Sequence, residues 1–430
     1  MAVAVWLVTF LIIFALGYPV AFGMFISAAL YLLITGIDLS TVMDTMVIQY
    51  ENQFILMAVP LFIFTAKVMN SGKLTDRLFD FAKILVGPMR GGLGHVNIVS
   101  SIIFAGMSGS EIADVAGLGT VEIKAMKDAG YDGPFACAVT CASATIGPII
   151  PPSIPMVIYS MLSGASVGYL FLGGVIPGFI LAGVLMILVF ILAGIRKYPS
   201  GQWPPFTEFV RIVLRSSFIL MAPVILLGGI YGGIFTPTEA AGVVGVYVLI
   251  LSIYVYRTLD LKALYKVFIE TVASSGFVSF IVACAFIFGY VVAREEIPVL
   301  ITRAFIDLGL MQSQMTVLLS LNILFLVLGC FIDVSSILLI IVPLVIPLVK
   351  EAGIDLVHFG VVTVFNLMIA LDTPPFGPTA FIASGISGTP LGKVMKEMLV
   401  FIFFELLALA IITYFPDTVL WIPRLAGYQG

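Results

Sequence analysis

Charge is what this 430-residue chain has least of: Asp, Glu, Lys and Arg make up 10% of it, and histidine occurs only twice. Soluble domains carry roughly 25% charged residues, so the composition excludes an ordinary water-soluble fold. Cysteine is sparse too. Cys137, Cys141, Cys284 and Cys330 lie in apolar runs, with neither a CxxC pair nor the spacing of a secreted disulfide framework, and read as reduced packing residues. His95 and His358 are far apart and sit at the entrances of apolar segments, which argues against a histidine metal centre or proton relay. No Ser-His-Asp order, HExxH, Walker loop or dinucleotide glycine pattern occurs. Gly91-Gly92-Leu93-Gly94 is a lone cluster that reads as a loop. The net charge of −4 is spread over short connections and offers no nucleic-acid surface.

Apolar runs fill the chain instead, with 61% hydrophobic residues. Ala2–Leu16, Val167–Ile195 and Ile269–Ala293 approach or exceed the ~18–20 residues a helix needs to cross the hydrocarbon core. About a dozen such runs fit. None alternates over ~10 residues as a membrane barrel strand does, so the fold class is a polytopic α-helical membrane protein. Met1–Leu16 lacks a basic start and a small-residue cleavage pattern and continues into Tyr18–Ile34, so both read as retained spans. Arg196, Lys197, Arg211 and Arg215 flank one polar connection; Lys67, Lys73, Arg77, Lys83 and Arg90 decorate another. The positive-inside rule puts both in the cytoplasm and the N-terminus on the far side.

The chain also matches itself at an offset of 223 residues. Gly106 falls on Gly329, Lys127 on Lys350, Ala129-Gly130 on Ala352-Gly353 and Asp132 on Asp355. The alignment continues without a gap, from Val139-Thr140 on Val362-Thr363 to Pro151, Pro152 and Pro155 on Pro374, Pro375 and Pro378. Such a period is too long for a solenoid and suits a transporter of two halves. An odd number of spans between equivalent positions would make the halves inverted, the arrangement that alternating access favours.

Each half carries an apolar hairpin with a polar tip, Gly106-Met107-Ser108-Gly109-Ser110-Glu111 in the first and Gly329 through Ser336 in the second. The flanking arms look too short for full spans and read as re-entrant. Irregular backbone at membrane depth is tolerated only inside protein or beside a wet cavity, so the tips imply a site. A second interrupted element follows each hairpin: Thr140–Ser153, with Ser143, Thr145 and Gly147-Pro148-Ile149-Ile150-Pro151-Pro152, and Thr363–Phe376, with Asn366, Asp372, Thr373, Pro374 and Pro375. Paired prolines force the helix to unwind. Freed carbonyls with Ser, Thr, Asn and Asp oxygens suit a small cation such as Na⁺, and half-helix N-termini suit an anion.

Asp333 and Asp372 are the sharpest of these signals, because an unpaired carboxylate at bilayer depth costs at least ~2.5–3.5 kcal/mol and marks function. Both are assigned to cation binding; the competing reading is a half-helix cap or a wet boundary. Glu111 and Asp114 read as N-terminal charges on the second hairpin arm. For Ser108 and Ser110, bonding back to their own helix is the alternative.

Phe104-Ala105-Gly106-Met107-Ser108-Gly109-Ser110, Ala144-Thr145-Ile146-Gly147-Pro148-Ile149-Ile150-Pro151-Pro152-Ser153, Phe235-Thr236-Pro237-Thr238-Glu239-Ala240-Ala241 and Asp372-Thr373-Pro374-Pro375 carry a family resemblance. Across nearly its whole length the sequence resembles the large membrane subunit of tripartite ATP-independent periplasmic (TRAP) transporters, the DctM-like family of the ion-transporter superfamily. The resemblance implies a non-enzymatic, Na⁺-driven elevator of the bacterial inner membrane. A mobile domain with two helical hairpins moves against a scaffold and imports an organic acid: sialic acid, another sugar acid or a C4-dicarboxylate. It also implies two partners, a separate small four-helix membrane subunit and a periplasmic substrate-binding protein. Stand-alone carboxylate carriage and, further off, an ion channel are the rival readings.

By the same resemblance, Gly106, Ser108, Ser110, Gly329, Asp333, Ser335, Asp372 and Thr373 would hold Na⁺. Ser108, Ser143, Thr145, Ser153, Asn366 and Thr373 would surround substrate. Glu239 and Arg294 would lie on the scaffold or touch partners. The expected organisation is scaffold and arm helices in 1–90, a first transport unit in 91–165 and scaffold and linking helices in 166–312. A second transport unit follows in 313–388, and a C-terminal span in 389–430. The tips differ, Ser-Gly-Ser against Ile-Asp-Val, so two equivalent ion sites do not follow.

Overall fold

The computed structural model describes the backbone of residues 1–430 and all side chains except those of Leu39, Thr41 and Thr45. Among the described residues it is all-helical, with one isolated bridge and no strand. The chain enters through α1 (Ala2–Ala15) and α2 (Val20–Thr35), then α3 (Leu39–Glu51), α4 (Ala58–Ser71) and α5 (Leu74–Val86). A hairpin of α6 (Gly92–Ser108) and α7 (Glu111–Asp128) precedes a helix broken into α8 (Gly133–Ala144) and α9 (Ile154–Ser163). The middle of the chain holds α10 (Val167–Arg196), α11 (Phe206–Tyr231), α12 (Pro237–Ile250), α13 (Leu261–Arg294) and α14 (Ile297–Asp307). A second hairpin, α15 (Gln314–Gly329) and α16 (Val334–Glu351), precedes a second broken helix, α17 (Leu356–Asp372) and α18 (Pro378–Ser387). The chain closes with α19 (Leu391–Tyr414) and α20 (Asp417–Leu425).

Six of these elements are long and apolar enough to cross a bilayer, or seven if α19 and α20, bent by 56°, count as one. The other apolar runs form helices of only 10–17 residues. Even Ala2–Ala15, expected as a span, has 14 residues. The second arm of the second hairpin departs the other way: at 18 residues, with its only charges, Lys350 and Glu351, at the very end, Val334–Glu351 has the length to cross. Its counterpart Glu111–Asp128 is equally long but carries acidic and basic residues.

The two basic connections meet at one end of the molecule. Arg90 pairs with Ser200 in the isolated bridge, and the Gly201 N–H donates to the Gly87 carbonyl at 3.1 Å. Gly91, at φ +73°, precedes α6, whereas Gly92 and Gly94 lie inside the helix, so the glycine cluster starts a helix and is not a loop. The four cysteines are free and buried, and each histidine ring bonds a backbone carbonyl, His95 with Arg90 at 3.2 Å and His358 with Ile412 at 2.9 Å.

Helix boundaries track the 223-residue offset. Helix α7 starts at 111 and ends at 128, and α16 starts at 334 and ends at 351; α8 starts at 133 and α17 at 356. The second half of each broken helix packs on the other pair's hairpin, α9 on α16 and α18 on α7. Lys127 Nζ of α7 pins the second crossing by donating to the Ser387 carbonyl of α18 at 2.5 Å, and the Tyr159 hydroxyl ties α9 to the start of α17 by donating to the Leu356 carbonyl at 2.8 Å. Asp132 and Asp355, the residues preceding α8 and α17, each accept from a tyrosine hydroxyl, Tyr198 at 2.7 Å and Tyr428 at 2.9 Å. Burial, and after it the bond to Asp132, pushes the Tyr198 phenol up to about 12.

Small residues let α10 lie against the first break. A Cβ at Gly174 would collide with the Ile149 carbonyl and approach the Met156 methyl to 2.9 Å, and one at Gly178 would meet Ile150. Gly174→Val is therefore expected to destabilise the protein by about 1–3 kcal/mol, the usual range for overpacking. The check is the thermal midpoint in detergent beside Gly183→Ala, at a position with open space, which should stay near the wild type.

Candidate functional site

The first break spans Thr145–Ser153 and the second Thr373–Gly377. In the first, Gly147-Pro148 and then Pro151-Pro152 deny the backbone successive helical donors. Turn bonds replace the lost ladder, with Ile146 N–H to the Ser143 carbonyl at 3.1 Å and Ile149 N–H to the Ile146 carbonyl at 3.0 Å. In the second, no glycine or proline lies between Gly360 and Pro374, and α17 stays helical through Asp372. Asn366 lies in the helical part of the expected element Thr363–Phe376, ahead of its break. Both Pro-Pro bonds, Pro151-Pro152 and Pro374-Pro375, are cis.

The first tip is docked on the first break. The Ile154 N–H donates to the Gly109 carbonyl at 3.4 Å, and Gly109, at φ +59°, lies so close to Pro152 that a Cβ would strike its carbonyl. Ser110 and Ser153 both cap helix N-termini, accepting from Ala113 N–H at 3.4 Å and Met156 N–H at 3.2 Å. Ser108 is buried, and its hydroxyl has no partner among the described residues. Thr145 and Thr373 each turn back on their own helix, donating to the Ala142 carbonyl at 2.6 Å and the Ile369 carbonyl at 2.7 Å.

The glycines expected as ion ligands occupy close packing positions. A Cβ at Gly106 would lie 2.6 Å from the Pro223 ring in α11, and one at Gly329 would collide with the Ala370 methyl. Asp333 does not fit the picture of an unpaired carboxylate at depth. It is exposed and caps α16, accepting from the Ser336 N–H at 3.0 Å and the Ser336 hydroxyl at 2.6 Å, while Ser335 is half-buried beside it. The capping alternative holds there because the tip turns out of the packed interior. Glu239 and Arg294 are exposed and away from both breaks. Glu239 closes a capping box with Thr236, and the Arg294 guanidinium lies 3.5 Å from the Tyr290 hydroxyl.

Ser143 and Asn366, 223 positions apart, do equivalent work in the two halves. Ser143 Oγ donates to Asn97 Oδ1 at 2.6 Å, and Asn97 Nδ2 donates to Thr140 Oγ1 at 2.7 Å. Asn366 Nδ2 donates to Asn322 Oδ1 at 3.0 Å and to the Asn322 carbonyl at 2.9 Å. Each clamp ties a hairpin's first arm to the broken helix beside it, and Asn97 and Asn322 gave no signal of this in the sequence.

Five acids are buried in the two units and in α19. Glu111, Asp114, Glu122, Asp372 and Glu405 are all at most 2% exposed. Thr379 Oγ1 donates to Asp372 Oδ1. The other Asp372 oxygen and both oxygens of the four remaining acids lack a partner among the described residues. Asp114 lies against Ser101 and Glu122 against Ser100. Asp372 is thus buried at the end of α17, with one oxygen bonded and one free. Glu405 was missed, although a lone carboxylate within Val400–Ala410 is the same kind of signal.

This fold and site define a multi-pass α-helical membrane protein with its polar groups gathered around two helix breaks. Residues 7–418 match the family described as Tripartite ATP-independent periplasmic transporter, DctM component, and the chain belongs to that family. It is a large permease subunit of the TRAP type. It is 39% identical over 413 residues to the sialic acid TRAP transporter large permease protein SiaM of Vibrio cholerae, covering 96% of each chain. It is 37% identical over 424 residues to the sialic acid TRAP transporter permease protein SiaT of Haemophilus influenzae, covering 99% of this chain and 68% of that protein. Against the C4-dicarboxylate TRAP transporter large permease protein DctM of Pseudomonas aeruginosa the identity is 37% over 402 residues, 94% of each chain.

Removing one side of a clamp leaves buried polar atoms unpaired, at about 1–3 kcal/mol. Asn97→Ala is expected to lower the thermal midpoint on that scale, and Asn97→Ala with Ser143→Ala should cost less than the two losses added. Strict additivity in that double-mutant cycle would contradict the clamp.

Proposed function

We propose that this permease imports a small organic acid across the bacterial inner membrane, coupled to Na⁺, by moving its two hairpin and broken-helix units as one body against the remaining helices. The observation that carries the reading is the crossing of α9 on α16 and α18 on α7, which makes one interlocked structure of two units far apart in sequence. The matching helix boundaries 223 residues apart support a repeat, inverted as alternating access favours. Segments 91–165 and 313–388 form the transport domain in this reading, 1–90 and 166–312 the scaffold and its arms, and 389–430 the closing span. The basic end that joins Arg90 to Ser200 faces the cytoplasm.

The substrate is a carboxylate of the sialic acid, sugar acid or C4-dicarboxylate class. Half-helix N-termini at Ser110, Ser153 and Gly377 present partial positive charge to it, and the motifs themselves contain no Lys or Arg. Ser108, with its free buried hydroxyl, and the carbonyls of the two breaks are the first candidates to touch ion or substrate. A periplasmic binding protein delivers the substrate, and a small four-helix subunit completes the membrane complex. Glu239 and Arg294, exposed on the scaffold, lie where such partners could reach them. An inward Na⁺ gains roughly 2.3 kcal/mol per 100 mV, enough for steep accumulation with two or more ions.

Uptake into proteoliposomes holding this chain and its small partner should require both an imposed Na⁺ gradient and the loaded binding protein. Uptake indifferent to Na⁺ would remove the coupling. Uptake without the binding protein would make the chain a stand-alone carboxylate carrier.

A further inference from the structure

Glu111, Asp372 and Glu405 come from three separate helices, α7, α17 and α19, and meet inside the protein. The Glu111 and Asp372 carboxyls lie within hydrogen-bonding reach of one another, and Glu405 is close to both. Glu405 stands near the middle of the 24-residue α19, which places the group at membrane depth. Neutral groups complete the surroundings: Thr379 from α18, and the Cys141 thiol and Thr145 hydroxyl from the first broken helix. On α7 the nearest charge is another acid, Asp114. Among the described residues, no ion pair involves any of these carboxylates.

Five oxygens of the group, both of Glu111, both of Glu405 and Asp372 Oδ2, are buried without a hydrogen-bond partner. Two facing carboxylates have no donor to offer each other, and each uncompensated charge at this depth costs at least ~2.5–3.5 kcal/mol. A positive charge between them removes both difficulties. We propose that Glu111 and Asp372, with Glu405 behind them, hold one small monovalent cation that bridges the first hairpin to the second broken helix.

The donor set selects the ion. The cation takes the Glu111 and Asp372 carboxylates plus the neutral Thr379 oxygen that already bonds Asp372, a set of two acids rather than a cluster of three. Divalent Ca²⁺ asks for 6–8 oxygens and Mg²⁺ for a strict octahedron, and Na⁺ tolerates the looser arrangement. The N-terminus of α7, where Glu111 is the first helical residue, adds partial positive charge of its own. The site is apart from the exposed Asp333 tip. Its consequence is energetic, because the ion offsets the buried negative charge where the two units already pack on each other.

The inference rests on the Na⁺-coupled reading, and one titration separates the two. The thermal midpoint of the purified complex is followed against NaCl, with choline chloride holding ionic strength, at fixed pH. The wild type is expected to be stabilised by Na⁺, and Glu111→Gln and Glu405→Gln to need at least tenfold more Na⁺ for the same effect. Without Na⁺ both variants should be as stable as the wild type or more so, since an amide removes a buried unpaired charge. Glu351→Gln, an exposed control at the end of α16, should follow the wild type. Na⁺ dependence in the wild type retained unchanged in both Gln variants overturns this site alone. No Na⁺ dependence in the wild type overturns the coupling reading with it.

Discussion

Unwound backbone at membrane depth must find its hydrogen bonds within the protein, and the architecture around the two breaks answers that requirement. At the first break the answer is local and close. Turn bonds run from Ser143 to Ile150, Ser153 caps the next half-helix, and the Gly109 tip lies on Pro152 with its carbonyl bonded to Ile154. Glycines in α10 leave room for the Ile149 carbonyl on the other side. The second break is shorter, five residues from Thr373 to Gly377, and needs less. Asp372 and Thr379 close it with a side-chain bond.

The two units correspond in boundaries and differ in chemistry. Position 143 or 366 supplies a clamp in each, through a serine in one and an asparagine in the other. The tips diverge further: Ser108 is buried with a free hydroxyl, whereas Asp333 is exposed and spends its carboxylate on its own helix. Polar function is thus concentrated on the first tip and on the side of the second break that faces it. The cluster of Glu111, Asp372 and Glu405 lies where these surfaces meet. In the proposed mechanism that is where an ion would couple the units.

Much of this was legible in the sequence because proline and glycine act locally. The hairpin tips, the Pro-Pro breaks and the 223-residue offset follow from residues whose backbone effects need no tertiary context. The second break opens at Thr373, directly before the paired prolines, and Asn366 lies in the helical stretch ahead of it. Helix lengths were not legible, because apolar composition does not fix where a helix starts and stops, and several apolar runs form helices of only 10–17 residues. Asn97 and Asn322 were invisible for a different reason. A clamp is a relation between helices, and its members look like any polar residue in a short apolar arm. Membership of the TRAP large-permease family fixes the transport role.

The central claim is that the interlocked units move together. Nitroxide labels at the exposed positions Lys124 in α7, Glu351 in α16 and Lys266 in α13, in a cysteine-free background, give the required distances by pulsed electron resonance. Between Na⁺-loaded and Na⁺-free complexes in lipid, the 124–351 distance should stay constant while both distances to 266 shift by several ångströms. A changing 124–351 distance with a fixed 124–266 distance would mean that the two units move separately, and would contradict the account.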